Sequence, residues 1–258
     1  MRWMTCVIVC AAVLLPLQEA GAELLAAWTD PANDDTGDGD YVYPTNEAFG
    51  EMGQADILAF TIEKENGDLV FTFTLRNLVD PWNVGNRLTM VAVAIDTQEG
   101  GDGELRRNAN VMLESPSEYQ VFAGGETVQI VDAESEPVDV GATVVTDVDR
   151  NTIRISVPIA SIDGAASDWR FAAAAGLQDD YGAGGLGDFR EVKAEPGEWR
   201  GGGGDDLAID PNVYDIVVPA PRKILGLFGG GSKGQAEILS GYSLEKGRLA
   251  TLPSLEID

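Results

Sequence analysis

Alternation of apolar and polar side chains with a period of two is the feature of this sequence that most restricts its fold. Residues 57–63 and 69–75 both alternate in this way, and Asn66-Gly67 lies between them. Successive side chains of a β-strand point to opposite faces of a sheet, and Asn-Gly is a dipeptide that two-residue hairpin turns prefer. The pattern therefore predicts an antiparallel β-hairpin.

Many other short runs are rich in β-branched residues and are separated by Gly, Asp, Asn or Pro. The run at 87–97 is almost wholly apolar, which is typical of a strand buried on both faces. Further strands are predicted at 108–114, 118–122, 127–131, 142–147, 152–157, 169–176, 189–193 and 212–218, with one turn of helix at 159–162. Many short strands without a long amphipathic helix before residue 220 predict an all-β protein, an antiparallel β-sandwich.

The first 22 residues differ from the rest of the chain. They combine Arg2, an apolar run over 6–17, and the small-residue sequence Ala20-Gly21-Ala22. This order of features is typical of a secretory signal peptide. We therefore expect secretion to the extracellular space, the periplasm or the cell envelope.

The end of the chain also differs in composition. The sandwich is expected to occupy residues 23–218, and residues 219–258 begin with Pro-rich and then Gly-rich sequence. Such sequence is typical of a linker. Residues 219–258 are therefore predicted to be a linker and a C-terminal extension, which adds a strand pair or docks an envelope protein.

Charge and composition restrict the chemistry. The net charge is −26, there is no histidine, and both cysteines lie within the first 22 residues. Nucleic acid is not expected as a partner, because phosphate is bound by clusters of Lys and Arg. A catalytic triad with histidine, a histidine-ligated metal and disulfide bonds in the mature chain are all excluded. Carboxylate chemistry is left.

The sequence WTDPANDDTGDGDYVYP at 28–44 concentrates carboxylates beside glycines. Carboxylate and carbonyl oxygens at tight turns are the ligands that Ca²⁺ prefers. A cation would also offset the repulsion between these like charges. The predicted ligands are Asp30, Asp34, Asp35, Asp38 and Asp40, with Asp96 or Asp180 reaching in from other acidic loops. The alternative is that these Asp-Gly sequences are ordinary turns.

Aromatic residues lie near several of the acidic loops. Trp82 follows the predicted hairpin, Tyr181 lies in the acidic loop at 178–189, and Trp199 precedes a run of four glycines. Exposed rings stack against the C–H faces of sugars, while neighbouring polar groups bind the hydroxyls. These aromatics are therefore candidates for carbohydrate binding. The alternative is that each tryptophan caps the core.

Several segments together resemble a known family. WTDPANDDTGDGDYVYP, the hairpin, VAIDTQEGGDGE and EWRGGGGDD are similar, in this order, to the C-terminal module of glucodextranase, which is itself similar to DOMON and family 9 carbohydrate-binding-module sandwiches. The resemblance implies a β-sandwich that binds a polysaccharide or envelope glycan and is often supported by a metal. It also implies that Arg200 and Asp205 belong to the binding site. Tyr119 departs from the family, whose members usually have Trp there.

Three alternatives remain open from the sequence. The first is a glycoside hydrolase that uses two carboxylates, such as Asp96 and Asp180. The second is a haem-binding redox protein of the DOMON type, with Met or Lys as axial ligand. The third is a structural adaptor. A non-catalytic, calcium-stabilised carbohydrate-binding module is the leading prediction.

Overall fold

The computed structural model describes residues 21–162, 168–179, 185–205, 208–219, 223–224, 227–228 and 234–257. The predicted signal peptide lies almost wholly outside these residues. Within the described part of the chain, no helix has both the length and the apolar character needed to cross a membrane.

The protein is all-β, as predicted, and its strands form a sandwich. The strands are β1 (Glu23–Thr29), β2 (Ile57–Glu65), β3 (Asp68–Leu75), β4 (Thr89–Asp96), β5 (Asp102–Leu105), β6 (Val111–Ser117), β7 (Tyr119–Gly124), β8 (Thr127–Asp132), β9 (Thr143–Asp147), β10 (Thr152–Pro158), β11 (Arg170–Asp179), β12 (Asp188–Phe189), β13 (Asp215–Ile216), β14 (Lys223–Ile224), β15 (Leu227–Phe228), β16 (Ala250–Leu252) and β17 (Leu255–Glu256). The helical elements among the described residues are the 3₁₀ turns Glu47–Phe49 and Ile159–Ser161 and the α-helix α1, Gln235–Leu239.

The first sheet is antiparallel, with strand order β1-β2-β3-β10-β9. It contains the predicted hairpin, which is confirmed: β2 pairs with β3 up to Glu65 opposite Asp68. Asn66 and Gly67 form the turn with φ of 52° and 94°. Positive φ at both central residues matches the twist of the flanking strands, and Asn and Gly adopt it at low cost.

The second sheet has the order β12-β11-β4-β7-β8, and β13 and β17 also pair with β11. The prediction that the run at 87–97 is buried on both faces is confirmed, because every residue of β4 is buried. Val91, Val93 and Ile95 of β4 face the core between the two large sheets. Met90 and Ala92 point the other way, into a second core.

The second core lies outside the second sheet and is covered by a smaller one. This outer sheet has the order β16-β6-β5. Val111 and Leu113 of β6, together with Leu252 of β16 and Leu239 of α1, pack in the outer core. The molecule thus has three β layers at this point, which is why β4 has no polar face.

The C-terminal segment contributes the short strands β16 and β17 to the sheets. β16 pairs in parallel with β6, Ala250 opposite Val111, and β17 pairs with the start of β11. Leu239, Leu252 and Leu255 are each at most 1% exposed. Residues 234–257 therefore contribute to both cores: Leu255 packs in the core between the two large sheets, and Leu239 and Leu252 pack in the outer core.

Candidate functional site

Two exposed tryptophans from distant parts of the sequence lie side by side. The ring centroids of Trp82 and Trp199 are 6.4 Å apart and their planes differ by 26°. The two side chains remain 45% and 43% exposed. Together with Asn46, Glu47, Ala48 and Pro81 they line an open groove of about 420 Å³. We call this the tryptophan groove.

Local turns hold Trp82 in place. Both carboxylate oxygens of Asp80 accept backbone hydrogen bonds, from Val84 at 2.9 Å and from Gly85 at 2.9 Å. An aspartate that binds amides four and five residues ahead closes the loop after β3 into a tight turn. Trp82 lies on this turn, so its ring is presented to solvent while the backbone stays fixed.

Trp199 rests on the protein interior. Its ring centroid lies 5.8 Å from that of Phe49, which is 1% exposed. The buried guanidinium of Arg190 donates a hydrogen bond to the carbonyl of Trp199 and lies 5.6 Å from the centre of the Phe49 ring. A core aromatic and a buried arginine therefore fix the position of an exposed ring.

A pair of contacts joins the two walls of the groove. Asn46 Nδ2 donates to Glu198 Oε1 at 3.0 Å, and the Asn46 amide donates to the Glu198 carbonyl at 3.1 Å. The 3₁₀ turn that begins after Asn46 and the loop that carries Trp199 are thus connected directly. The groove is formed before any ligand arrives, so little ordering is needed on binding.

Two further residues predicted to bind carbohydrate, Arg200 and Asp205, do not line the tryptophan groove. Arg200 is exposed beside Trp199 but does not line the groove. Asp205 Oδ2 accepts a hydrogen bond from the Tyr242 hydroxyl at 2.9 Å, and Asp38 Oδ2 lies 3.1 Å from the same hydroxyl. Asp205 therefore belongs to a contact with the C-terminal segment. Tyr181 lies outside the described residues.

A group of carboxylates forms a second candidate site. Asp30, Asp34 and Asp215 each place one carboxylate oxygen within 4.8 Å of the others. Asp30 follows β1, Asp34 lies in the acidic loop, and Asp215 belongs to β13 beside β11. We call these three residues the carboxylate cluster.

The cluster lies partly in the protein interior: Asp30 and Asp34 are half-buried and Asp215 is buried. Asp215 has no exposed surface; its oxygens accept backbone hydrogen bonds from Ile57 at 2.6 Å and Ile216 at 2.7 Å. Asp30 Oδ2 and Asp34 Oδ1 are buried too, and neither accepts a hydrogen bond from any residue that the structure describes. Buried carboxylate oxygens without donors are costly in free energy. A ligand that supplies positive charge would remove this cost.

Asp56 adds a fourth carboxylate next to the cluster. It is fully buried, and its Oδ2 accepts hydrogen bonds from the Asn33 amide at 2.8 Å and from Arg76 Nε. Its Oδ1 has no donor within the described residues. Arg76 is thus the cation that offsets this group of acids.

Burial and mutual repulsion keep the cluster from ionising readily. Burial raises the pKa of Asp30 to about 7, and the neighbouring charges of Asp34 and Asp56 add to the effect. Burial, followed by the charge of Asp56, raises the pKa of Asp34 to about 6. Burial and the charge of Asp30 hold the pKa of Asp215 well above its usual range. Protons would therefore compete with any cation at this place.

The predicted metal ligands separate into different environments. Asp30 and Asp34 are brought together, but Asp35 accepts a hydrogen bond from the Tyr43 hydroxyl at 2.7 Å. Asp40 is exposed. Asp96 lies 3.4 Å from Arg170 in a different part of the molecule, and Asp38 contacts Tyr242 as described above.

Sequence reasoning missed Asp215. It is flanked by apolar residues in the sequence VYDIV, within a predicted strand. A carboxylate inside an otherwise apolar strand is unusual, because buried acids are rare unless they are paired or bind a metal. This signal was available, but only the fold shows that β13 brings Asp215 to the loop after β1.

The haem alternative would need Met or Lys as axial ligand, and two of the methionines have different surroundings. Met90 is fully buried in the outer core, whereas Met52 is 38% exposed. Asp180, one of the acids considered for glycoside hydrolysis, lies outside the described residues.

The sequence matches one protein family over most of its length. Residues 25–254 match the model of the family described as the C-terminal binding-module, SLH-like, of glucodextranase. No curated protein sequence matches the chain. The matched range extends from β1 to the residue before β17, and so includes both candidate sites and the outer sheet.

Proposed function

Because the chain belongs to the family of SLH-like C-terminal binding modules of glucodextranase, we propose that it is a secreted, non-catalytic module that binds polysaccharide at the cell surface or cell envelope. The proposed binding site is the tryptophan groove. The observation that carries this proposal is that two contacting tryptophans remain nearly half exposed. Other large aromatic side chains among the described residues, such as Trp169, Tyr41 and Phe71, are buried.

The groove has the chemistry that sugar binding needs. Indole rings offer broad apolar faces to the C–H groups of a pyranose, and Asn46 and Glu47 offer polar groups to its hydroxyls. The groove is open, so it suits the interior of a long chain as well as its end. Since the rings are already in position, binding energy is not used to order them.

Charge narrows the class of polysaccharide. Glu47 lines the groove, Glu198 lies at its wall, and the whole chain has a net charge of −26. A polymer dense in carboxylate or phosphate would be repelled by this surface. We therefore propose a neutral polysaccharide as the ligand.

The test is calorimetry or affinity electrophoresis with neutral α- and β-glucans and with a uronic-acid polymer as the anionic comparison. We expect a neutral glucan to bind, and Trp82→Ala to weaken binding by about tenfold or more, which corresponds to ~1.4 kcal/mol. Val145→Ala is the matched control, because Val145 is 62% exposed and does not line the groove. Unchanged binding in both Trp82→Ala and Trp199→Ala would show that sugar binds elsewhere.

We further propose that the carboxylate cluster binds Ca²⁺. Three clustered carboxylates, two of which have a buried oxygen without a donor among the described residues, fit a hard divalent cation, which takes about six to eight oxygen ligands. Bound Ca²⁺ would give the unpaired oxygens of Asp30 and Asp34 a positively charged partner. The ion would have a structural role, because it would fix the acidic loop to β13. It would not contact the bound sugar.

Thermal unfolding with calcium and with chelator tests the cation proposal. Calcium at 100 times its Kd would stabilise the wild type by about 2.7 kcal/mol. Asp34→Asn should abolish this response, since Asp34 Oδ1 accepts no hydrogen bond from a described donor and the change replaces a carboxylate with a neutral amide of the same shape. Asp40→Asn, an exposed change in the same loop, should keep the response. A wild-type midpoint that is equal in both conditions would disprove calcium binding.

A further inference from the structure

Gln235, the first residue of α1, makes three hydrogen bonds with the body of the protein. Its side chain is 7% exposed. Nε2 donates to the carbonyls of Asp34 and, at 3.1 Å, of Tyr214; Oε1 accepts from the Ile216 amide at 3.0 Å. One buried amide thus satisfies three backbone groups from two segments that are distant in sequence.

These backbone groups belong to the carboxylate cluster or adjoin it. Asp34 is a member of the cluster. The Ile216 amide, which donates to Gln235, also donates to Asp215 Oδ1 at 2.7 Å. Gln235 therefore holds the backbone on both sides of the cluster, although its own side chain is not one of the cluster's ligand groups.

A second contact joins the C-terminal segment to the same acidic loop. The Tyr242 hydroxyl lies 3.1 Å from Asp38 Oδ2 and 2.9 Å from Asp205 Oδ2. The loop after β1 is consequently held at two points, Asp34 and Asp38, by residues 234–257. If the segment leaves, the Asp34 carbonyl loses its bond to Gln235 and Asp38 loses its bond to Tyr242.

We propose that Gln235 is a positioning residue for the carboxylate cluster, so that calcium binding and docking of residues 234–257 stabilise each other. This inference rests on the proposed calcium site. The physical reason is linkage: a ligand that binds only the docked arrangement makes undocking less favourable, and docking raises ligand affinity by the same factor. In calcium-poor medium the C-terminal segment would open more readily, which would expose α1 and the outer core beneath it.

Hydrogen exchange measured by mass spectrometry on the whole mature chain tests the coupling. Peptides from residues 234–257 should exchange more slowly in calcium than in chelator, by up to about 100-fold at calcium 100 times its Kd. Peptides from the β9–β10 hairpin serve as the internal reference, because that hairpin lies in the other sheet. The exchange rates of these reference peptides should differ little between calcium and chelator.

Variants separate positioning from simple stabilisation. Gln235→Met keeps the length of the side chain but removes its hydrogen bonds, and we expect about a tenfold rise in the Kd for Ca²⁺ measured by calorimetry. Leu244→Ala is the control, since Leu244 belongs to the same segment and is 56% exposed. Tyr242→Phe removes only the hydroxyl and should raise the Kd by a smaller factor; it remains informative if Gln235→Met does not fold.

Two failures are distinguishable. If the wild type binds no calcium in calorimetry, the proposed cation site is wrong and the coupling falls with it. If the wild type binds calcium, but exchange in 234–257 is the same in calcium and chelator and Tyr242→Phe and Gln235→Met keep the wild-type Kd, the coupling is wrong while the cation site stands.

Discussion

The tryptophan groove and the carboxylate cluster hold their side chains in opposite ways. In the groove the rings are exposed and the supporting groups, Phe49 and Arg190, are buried beneath them. In the cluster the chemically active groups are themselves buried, and Asp215 has no exposed surface. Changes to the groove rings should therefore affect binding and leave stability alone, whereas changes to the cluster should appear in stability and in its response to pH and calcium.

The largest expected effect would come from the support beneath the groove. Phe49→Ala removes a ring that is 1% exposed and that contacts both Trp199 and Arg190. Emptying this space should lower the free energy of unfolding by about 3–5 kcal/mol in urea denaturation. Trp82→Ala should change it by less than about 1 kcal/mol. An equal loss in the two variants would mean that the groove is part of the core.

The second largest effect on stability should come from Arg76, whose guanidinium pairs with Asp56. Arg76→Met leaves the fully buried Asp56 without its ion pair, and we expect a loss of about 1–3 kcal/mol in chelator. Calcium should reduce this loss, because a bound cation would replace part of the missing charge. Arg150→Met is the control: its partner Asp147 forms an exposed pair, which is worth little. A loss of equal size with and without calcium would argue against a cation at the cluster.

The change of folding stability with pH should be smaller than the effects of these two substitutions. Its sign follows from the raised pKa values of Asp30 and Asp34. An acid whose pKa is higher in the folded state binds more protons there, so its contribution to stability is lost as the pH rises through that value. For Asp34 and Asp30 this happens through about 6 and 7. The charge of Asp56 raises the pKa of both groups, whereas a hydrogen bond with Asp215 lowers the pKa of Asp30.

In chelator, the melting temperature of the wild type should therefore fall across this pH range more steeply than that of Asp34→Asn. Calcium should flatten the wild-type curve, since it favours the ionised carboxylates. Parallel curves for the two proteins in chelator would show that Asp34 does not titrate in this range.

The smallest effect should come from Trp82→Phe. Phenylalanine keeps an aromatic face but offers less area, so glucan binding should weaken by less than about tenfold. The midpoint of thermal unfolding should not move. If Trp82→Phe loses as much binding as Trp82→Ala, the indole N–H or the full ring width is required, and the groove is more selective than stacking alone would make it.

The parts of the fold that follow from local sequence were predictable. Alternation and Asn66-Gly67 predict β2, β3 and the turn, because strand periodicity and turn chemistry act over a few residues. The apolar run of β4 likewise predicts burial on both faces. The short strand β5 was not predicted, because it begins within the acidic, glycine-rich sequence VAIDTQEGGDGE and has no alternating pattern.

The candidate sites depend on pairings that local sequence does not encode. Trp82 and Trp199 were each proposed separately, and their contact arises only when two loops meet above Phe49. Asp35, which was predicted as a ligand, turns instead to the Tyr43 hydroxyl. Five aspartates in one loop indicate where charge is concentrated, but neighbours from β13 and α1 decide which of them meet.

The parallel pairing of β16 with β6 limits how early the outer sheet can be completed during synthesis of the chain. The outer sheet is complete only once residues 250–252 have emerged from the ribosome, because β16 is the last of its strands in the sequence. Long-range pairings of this kind slow folding and leave apolar surface open in the interval.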